Sequence, residues 1–290
     1  MIAFDSQKKH HGGIGNLMFQ YAFTRMTARR LGVKFYFPEW LGDKVFCLND
    51  EDERSTVIEG VHRKYVQTKS NCGFDEDVLS ITDDTDIYGY FRSEKYFLDK
   101  NLVRKWYTFK EEAIISVREK YRHLDFSRSV SLHFRFGDKI RLQDRFVTAN
   151  STYYAKALSF INHSENLLVF SDEMDRAHRI AERLSGNIIY MDGNRDYEDL
   201  YLMGLCHDNI CSTSTFSWWG AWLNNHSDKV VVCLKEWHRP GYAKHRNLTC
   251  DEWVEIRTVD PVFGHYRVVH PFAKAYRALE VLRRKTQKPV

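Results

Sequence analysis

His133 and Arg135 stand two residues apart and are followed at once by Gly137-Asp138. Val130, Leu132 and Phe134 alternate with Ser131, His133 and Arg135, a period of two that predicts a strand with one buried and one polar face. Gly137-Asp138 then turns the chain. Open α/β sheets place ligands at loops of this kind, and the planar guanidinium fork of Arg suits a phosphate better than any other side chain. The chemistry on offer is a fixed cation held against a bound or departing anion. Standing alone, the segment also fits a surface strand with a solvated Arg.

Two further segments offer anion chemistry. Gly12-Gly13-Ile14-Gly15-Asn16 opens a stretch with apolar Met18, Tyr21, Ala22 and Met26 at helical spacing, so backbone N–H groups and a helix dipole can meet a negative group there. Ser212, Thr213, Ser214, Thr215 and Ser217 lie beside the aromatic run Trp218-Trp219, where hydroxyls either cap helix N–H groups or bind phosphate oxygens. Asp83-Asp84-Thr85-Asp86 contains an Asp-x-Asp pattern able to chelate manganese, but it reads more simply as the solvated start of a strand. His10-His11 reads as a loop, because adjacent side chains on an extended segment point apart.

These groups must be carried by elements. The second half alternates strand and helix: a strand at 167–170, a helix at 176–184, a strand at 187–191, a helix at 199–207, a strand starting at 210–211, a helix at 218–223 and a strand at 229–234. Such alternation implies right-handed βαβ units and a parallel sheet. The first half carries a helix at 16–31, strands at 33–37 and near 87–91, and a polar stretch at 49–56. The pattern restarts near 125–130, giving a first domain over 1–128, a second over 129–265 and a basic C-terminal segment over 266–290.

The chain has 290 residues, 43% of them hydrophobic, enough for one large or two ordinary domains that each bury a core. A net charge of +4 is too mild to argue for nucleic acid. No apolar run approaches the roughly 18 residues of a membrane span, and no signal segment is visible, so a cytoplasmic location with reduced thiols is expected. The six cysteines show no zinc spacing. Phe272, Tyr276, Leu279 and Leu282 fall at helical spacing in a basic tail, which fits either peripheral contact with an anionic membrane or a helix packed back on the first domain.

Five ordered segments resemble glycosyltransferase family 11, the α-1,2-fucosyltransferases: Gly-Gly-Ile-Gly-Asn-Leu-Met-Phe-Gln-Tyr-Ala at 12–22, Gly-Tyr-Phe-Arg-Ser-Glu-Lys-Tyr-Phe at 89–97, His-Phe-Arg-Phe-Gly-Asp at 133–138, Phe-Ser-Asp-Glu at 170–173 and Ser-Thr-Ser-Thr-Phe-Ser-Trp-Trp-Gly-Ala-Trp-Leu-Asn at 212–224. Leu17 replaces the family's usual Gln, Phe136 its second Arg, and residues 5–11 lengthen the loop before the Gly turn. The resemblance implies a GT-B-like α/β fold, two Rossmann-type domains facing a cleft. It implies inverting transfer of L-fucose from GDP-β-L-fucose to a terminal sugar, galactose foremost, of a glycan or surface polysaccharide precursor, with no metal, cofactor or nucleic acid.

In that scheme Arg135 meets the departing pyrophosphate, helped by Ser214, Thr215 and Ser217 and, from the other domain, by Gly13, Gly15 and Asn16. His133 and Asp172 are carried over as nucleoside contacts, with capping of the next helix the alternative for Asp172. Asp138 is the nearest candidate base for the acceptor hydroxyl, Asp144 the second, and transfer without an enzymic base is the alternative. A fucosyltransferase of other linkage, another GDP-sugar donor, or a non-catalytic binding protein are the competing readings.

Overall fold

The computed structural model describes residues 1–4, 12–67, 73–143, 145–162, 164–239 and 248–257. Asp144, the loop 5–11 and the segment 266–290 singled out above lie outside them. The first half runs β1 (Ile2–Phe4), α1 (Ile14–Leu31), β2 (Phe35–Tyr36), α2 (Gly42–Val45), β3 (Arg63–Val66), β4 (Thr85–Tyr88), α3 (Lys100–Trp106) and α4 (Glu111–Lys120). The second half runs β5 (Ser129–Phe134), α5 (Gly137–Arg141), α6 (Ser151–Leu158), β6 (Asn166–Ser171), α7 (Met174–Ala181), β7 (Asn187–Tyr190), α8 (Asp196–Leu205), β8 (Asp208–Ile210), α9 (Thr215–Leu223), β9 (Val231–Leu234) and β10 (Val254–Ile256).

The strands form two sheets, β2-β1-β4-β3 and β10-β9-β8-β5-β6-β7, and every pairing in both is parallel. Parallel sheets need crossover helices on their faces, which is why buried strands alternate with helices along the second half. α1 ends where Gly32 takes the left-handed conformation at φ 67° and Arg29 and Arg30 meet the negative helix end. Nearly all of α1 from Ile14 to Ala28 is buried, because β1 covers one side and α9 another.

The expected half-exposed strand at His133 is corrected. All six residues of β5 are buried, since β5 lies between β6 and β8 in the middle of its sheet with both faces covered. The period of two survives inside the protein. Val130, Leu132 and Phe134 join the cluster with Tyr154, Val169 and Ala177, whereas Ser131 accepts a hydrogen bond from Asn209 Nδ2 at 2.7 Å and His133 pairs with Ser212. Neighbouring side chains satisfy these polar groups where water was expected.

The second half closes one core of its own, the cluster around Val130, Leu132 and Phe134, and shares another with the first half. One apolar cluster runs from Ile2, Phe4 and Phe19 through Trp218, Trp219 and Trp222 to Leu168 and Phe170 of the second sheet. Phe19 of α1 sits 4.6 Å from the ring of Trp218 and 4.7 Å from that of Trp219.

Candidate active site

In the six-stranded sheet the chain runs outward from β5 through β6 to β7 on one side and from β8 through β9 to β10 on the other. The order reverses between β5 and β8, and in the smaller sheet between β1 and β4. Open α/β sheets hold ligands beyond the carboxyl ends of strands at such reversals. Arg135 follows β5, Ser212–Thr215 follow β8, Gly12–Asn16 come after β1, and Tyr90 and Arg92 follow β4. Residues from all four line one pocket of about 400 Å³.

Two helix N-termini converge on it. α1 begins at Gly13 with no side-chain cap and no acidic residue in its first turn, and α9 begins at Ser214. Their positive ends favour an anion between them. Gly15 makes the approach possible: a Cβ there would stand 2.7 Å from Phe216 N and 2.8 Å from Thr215 C, both backbone atoms. Trp219 Nε1 then donates to Gly15 O at 2.9 Å, locking the helices together. Asn16 Oδ1 accepts from Arg92 Nε and from Thr215 Oγ1, each at 3.2 Å. Gly12 holds φ 104°, and a Cβ on it would stand 2.3 Å from Asn16 Nδ2, so a glycine is required where the chain enters α1.

Arg135 is flanked by carboxylates. Its Nη2 donates to Asp138 Oδ1 at 2.6 Å and its Nη1 lies 2.8 Å from Asp172 Oδ2. Asp172 Oδ1 accepts from Phe136 N at 2.9 Å. Asp172 therefore braces the loop after β5, and Glu173, not Asp172, occupies the N-cap position of α7. His133 is buried, bonded through Nδ1 to Ser212 Oγ at 2.8 Å. Burial, with Arg135 nearby, pushes its pKa down to about 3, so the pocket wall carries a neutral imidazole.

The five hydroxyls divide their work inside the protein. Ser212 pairs with His133, Thr213 donates to Val147 O at 2.8 Å, and Ser214 Oγ caps α9 by accepting from Phe216 N at 3.3 Å. Ser217 donates to Ser214 O at 3.3 Å and stands behind the pocket wall. The other sequence-predicted residues, Gly13, Gly15, Asn16, His133, Arg135, Asp138, Asp172, Ser214 and Thr215, all line the pocket.

Sequence reading gave no role to several lining residues, among them Tyr90, Arg92, Asp196 and Asp199. Arg92 Cζ lies 4.0 Å from the centroid of Tyr90, a cation–π contact that steadies the guanidinium opposite Arg135. Its signal was an Arg in a quoted segment, Gly89 to Phe97, to which no role was given. Asp199 accepts from Asn194 Nδ2 at 2.8 Å, and burial pushes its carboxyl up to about 7. Asp84 and Asp86, the possible metal ligands, stand at the amino end of β4, at the sheet edge opposite the pocket.

Two parallel sheets meeting over one pocket that offers helix N-termini and guanidinium groups to an anion give an α/β arrangement of the GT-B kind. The chain belongs to glycosyl transferase family 11, whose profile it matches over residues 10–257. It is similar to an α-1,2-colitosyltransferase of Escherichia coli, 22% identical over 280 residues that cover 84% of this chain and 96% of the relative. A shorter match, 33% identical over 138 residues, joins it to the O-antigen biosynthesis glycosyltransferase WbnK of Escherichia coli and spans 45% of each chain. Among solved structures, POFUT1 in its apo form aligns over 80% of this chain and 97% of that one, with 12% identity and a TM-score of 0.53. The crystal structure of POFUT1 with GDP-fucose aligns over 79% and 96%, with 11% identity and a TM-score of 0.50. At these identities the likeness is one of fold.

Proposed function

We propose that this glycosyltransferase moves L-fucose from GDP-β-L-fucose to O2 of a terminal galactose, with inversion at C1, on a glycan or surface polysaccharide precursor in the cytoplasm. The carrying observation is the convergence of Arg135 and two helix N-termini on one pocket. As the bond from C1 to the β-phosphate oxygen breaks, negative charge grows on the pyrophosphate. Arg135 and the N–H groups opening α1 and α9 meet that charge without a metal ion. Asp138 and Asp172 hold the guanidinium plane in place before the donor arrives. Asp138 is bonded to Arg135 through Oδ1 alone, so its second oxygen can take the acceptor proton; the alternative is a proton that leaves late, to water, from a hydroxyl made acidic by a loose transition state.

Base recognition falls to Asp199. Both oxygens of Asp172 are engaged by Arg135 and the Phe136 N–H, whereas Asp199 accepts one hydrogen bond among the described residues, from Asn194. A carboxylate there can receive the N1–H and N2–H₂ donors of guanine. The long match to a colitosyltransferase supports a second donor reading, since colitose is L-fucose without its C3 hydroxyl. The test is incubation with GDP-fucose or GDP-colitose and galactose-terminated acceptors, followed by linkage analysis. An α-1,2 product with GDP release is expected. GDP binding without transfer from either donor would overturn the reading.

A further inference from the structure

Asp199 is held at the donor pocket by a residue that does not line it. Asn194 Nδ2 donates to Asp199 Oδ1 at 2.8 Å. The Asn194 side chain is in turn fixed from the first half of the chain, because its Oδ1 accepts from Lys120 Nζ at 2.7 Å and from Tyr121 Oη at 3.2 Å. Lys120 is the last residue of α4, and its ammonium also donates to Asp192 O at 2.8 Å. The loop before α8 is thus clamped to the end of α4.

These partners settle which way the amide points. An ammonium can only donate, so Lys120 must face the amide oxygen, and the amide N–H bonds are left to face the carboxylate. The reverse placement would set N–H against the ammonium and oxygen against oxygen at Asp199. Asn194 therefore offers Asp199 a neutral donor whose direction is fixed at its far end. Most of the surroundings of Asp199 oppose its charge. Burial is the largest influence, Asp196 and Glu198 of the same helix add repulsion, and the hydrogen bond from Asn194 and the Lys120 ammonium pull the other way. α9, which also packs on α8, carries no charged residue, and the other charged residues lining the pocket are Arg92, Arg135 and Lys139 against Asp138, Asp172 and Asp196.

We propose that Asn194 is a positioning residue for donor recognition: tethered to α4 through Lys120 and Tyr121, it holds the Asp199 carboxylate in the plane that meets the N1–H and N2–H₂ edge of guanine. The proposal rests on the reading of Asp199 as the base contact given above. Asn194 takes one lone pair of Oδ1, and among the described residues the other lone pairs of that carboxylate receive no donor, which leaves them to a ligand. A carboxylate that turned freely would lose that freedom on meeting a flat base edge. One pinned beforehand does not. Asn194 itself touches no substrate, so its effect reaches the donor through Asp199.

Calorimetric titration of the full chain with GDP, at a series of pH values from about 6 to about 8.5, tests this across the ionisation of Asp199. Wild-type affinity should rise with pH as Asp199 ionises. Asn194→Ala removes the donor, so the midpoint of that rise should move up by about one pH unit, a loss of about fivefold at pH 7 that shrinks to about twofold at pH 8.5. Asn194→Asp keeps the side chain's size and its acceptor for Lys120 and Tyr121 but sets a second carboxylate against Asp199. It should bind GDP more weakly than Asn194→Ala at pH 7. A residue that only fastened the loop to α4 would behave otherwise: Asn194→Asp would strengthen the tie to Lys120 and bind GDP as the wild type does, which would overturn the proposal. A loss of the same size at every pH would also overturn it. Lys120→Met leaves the loop sequence intact and should move the midpoint the same way by a smaller amount. In an Asp199→Asn background none of these changes should alter the pH dependence. If Asp199→Asn alone keeps wild-type affinity and pH dependence, the base-contact reading fails and takes this proposal with it. If it loses both while the Asn194 variants follow the wild-type curve, the positioning role alone fails.

Discussion

Thr215 Oγ1 reaches Asn16 Oδ1 at 3.2 Å across 199 residues of sequence. The same amide oxygen accepts from Arg92, so one Asn ties the first helix, the loop after β4 and the start of α9 into a single wall. Asn16 was expected to touch the donor; its position makes it also the link that sets Arg92 opposite Arg135. Asn16→Asp would place a negative charge beside the pyrophosphate. It should weaken GDP-fucose binding more than Asn16→Ala, although the carboxylate keeps both acceptor bonds, as titration of the two variants would reveal.

Arg135→Ala should lower transfer by about 10²-fold or more, since removing one positioned donor at a developing anion costs about 3 kcal/mol. Arg135→Lys should recover little, because a point charge cannot span Asp138, Asp172 and a phosphate oxygen as the fork does. Near-normal turnover of the alanine variant would remove Arg135 from the mechanism.

Gly13 and Gly15 should respond differently to the same methyl group. A Cβ at Gly13 meets nothing within 4 Å, so Gly13→Ala should melt as the wild type does and show any loss in donor affinity alone. A Cβ at Gly15 meets the backbone of Thr215 and Phe216, so Gly15→Ala should be destabilised by about 1–3 kcal/mol through overpacking. Calorimetric melting of both variants decides this; equal melting temperatures would refute the close-packing role.

The raised pKa of Asp199 gives a signed pH effect. Between about pH 4, where an unfolded Asp titrates, and about 7 the folded chain holds a proton that the unfolded chain has lost. Stability should therefore fall as pH rises through that window, by at most about 1.4 kcal/mol per pH unit, and Asp199→Asn should flatten the slope. GDP-fucose binding should run the opposite way, tightening up to about tenfold per unit toward pH 7 if the ionised carboxylate receives the guanine donors. The Asn variant should lose both this dependence and the preference for GDP over UDP. Retention of that preference would return the base contact to another residue.

Treatment with EDTA should leave transfer unchanged, because helix ends and guanidinium groups face the leaving group while Asp84 and Asp86 stand at the far edge of their sheet. Loss of activity restored by manganese would reverse this.

The parallel sheet of the second half and the segments that meet at the pocket were legible from residue types and spacing, while the GT-B arrangement and the places of His133 and Asp172 came from the family resemblance. The apolar spacing of Met18, Tyr21, Ala22 and Met26 marked α1, and His133-x-Arg135 with the Ser/Thr run marked the two loops that meet. What escaped depends on pairing across long separations. The alternation at 130–135 looks the same for an edge strand and a central one; only its place between β6 and β8 decides that Ser131 and His133 are buried. Asp199 escaped because α8 starts at Asp196, earlier than its apolar residues suggest, so a residue in its first turn faces the pocket. Ser217 was misjudged because one helical turn carries its hydroxyl back onto Ser214 O.

The aromatic seam of Phe19, Trp218 and Trp219 limits how the molecule can breathe. Swinging the sheets apart like a clamshell would strip water-free contacts from the rings and break the bond from Trp219 to Gly15, so the packing opposes a wide hinge. The halves should likewise melt together in one transition, and neither should stay soluble when expressed without the other.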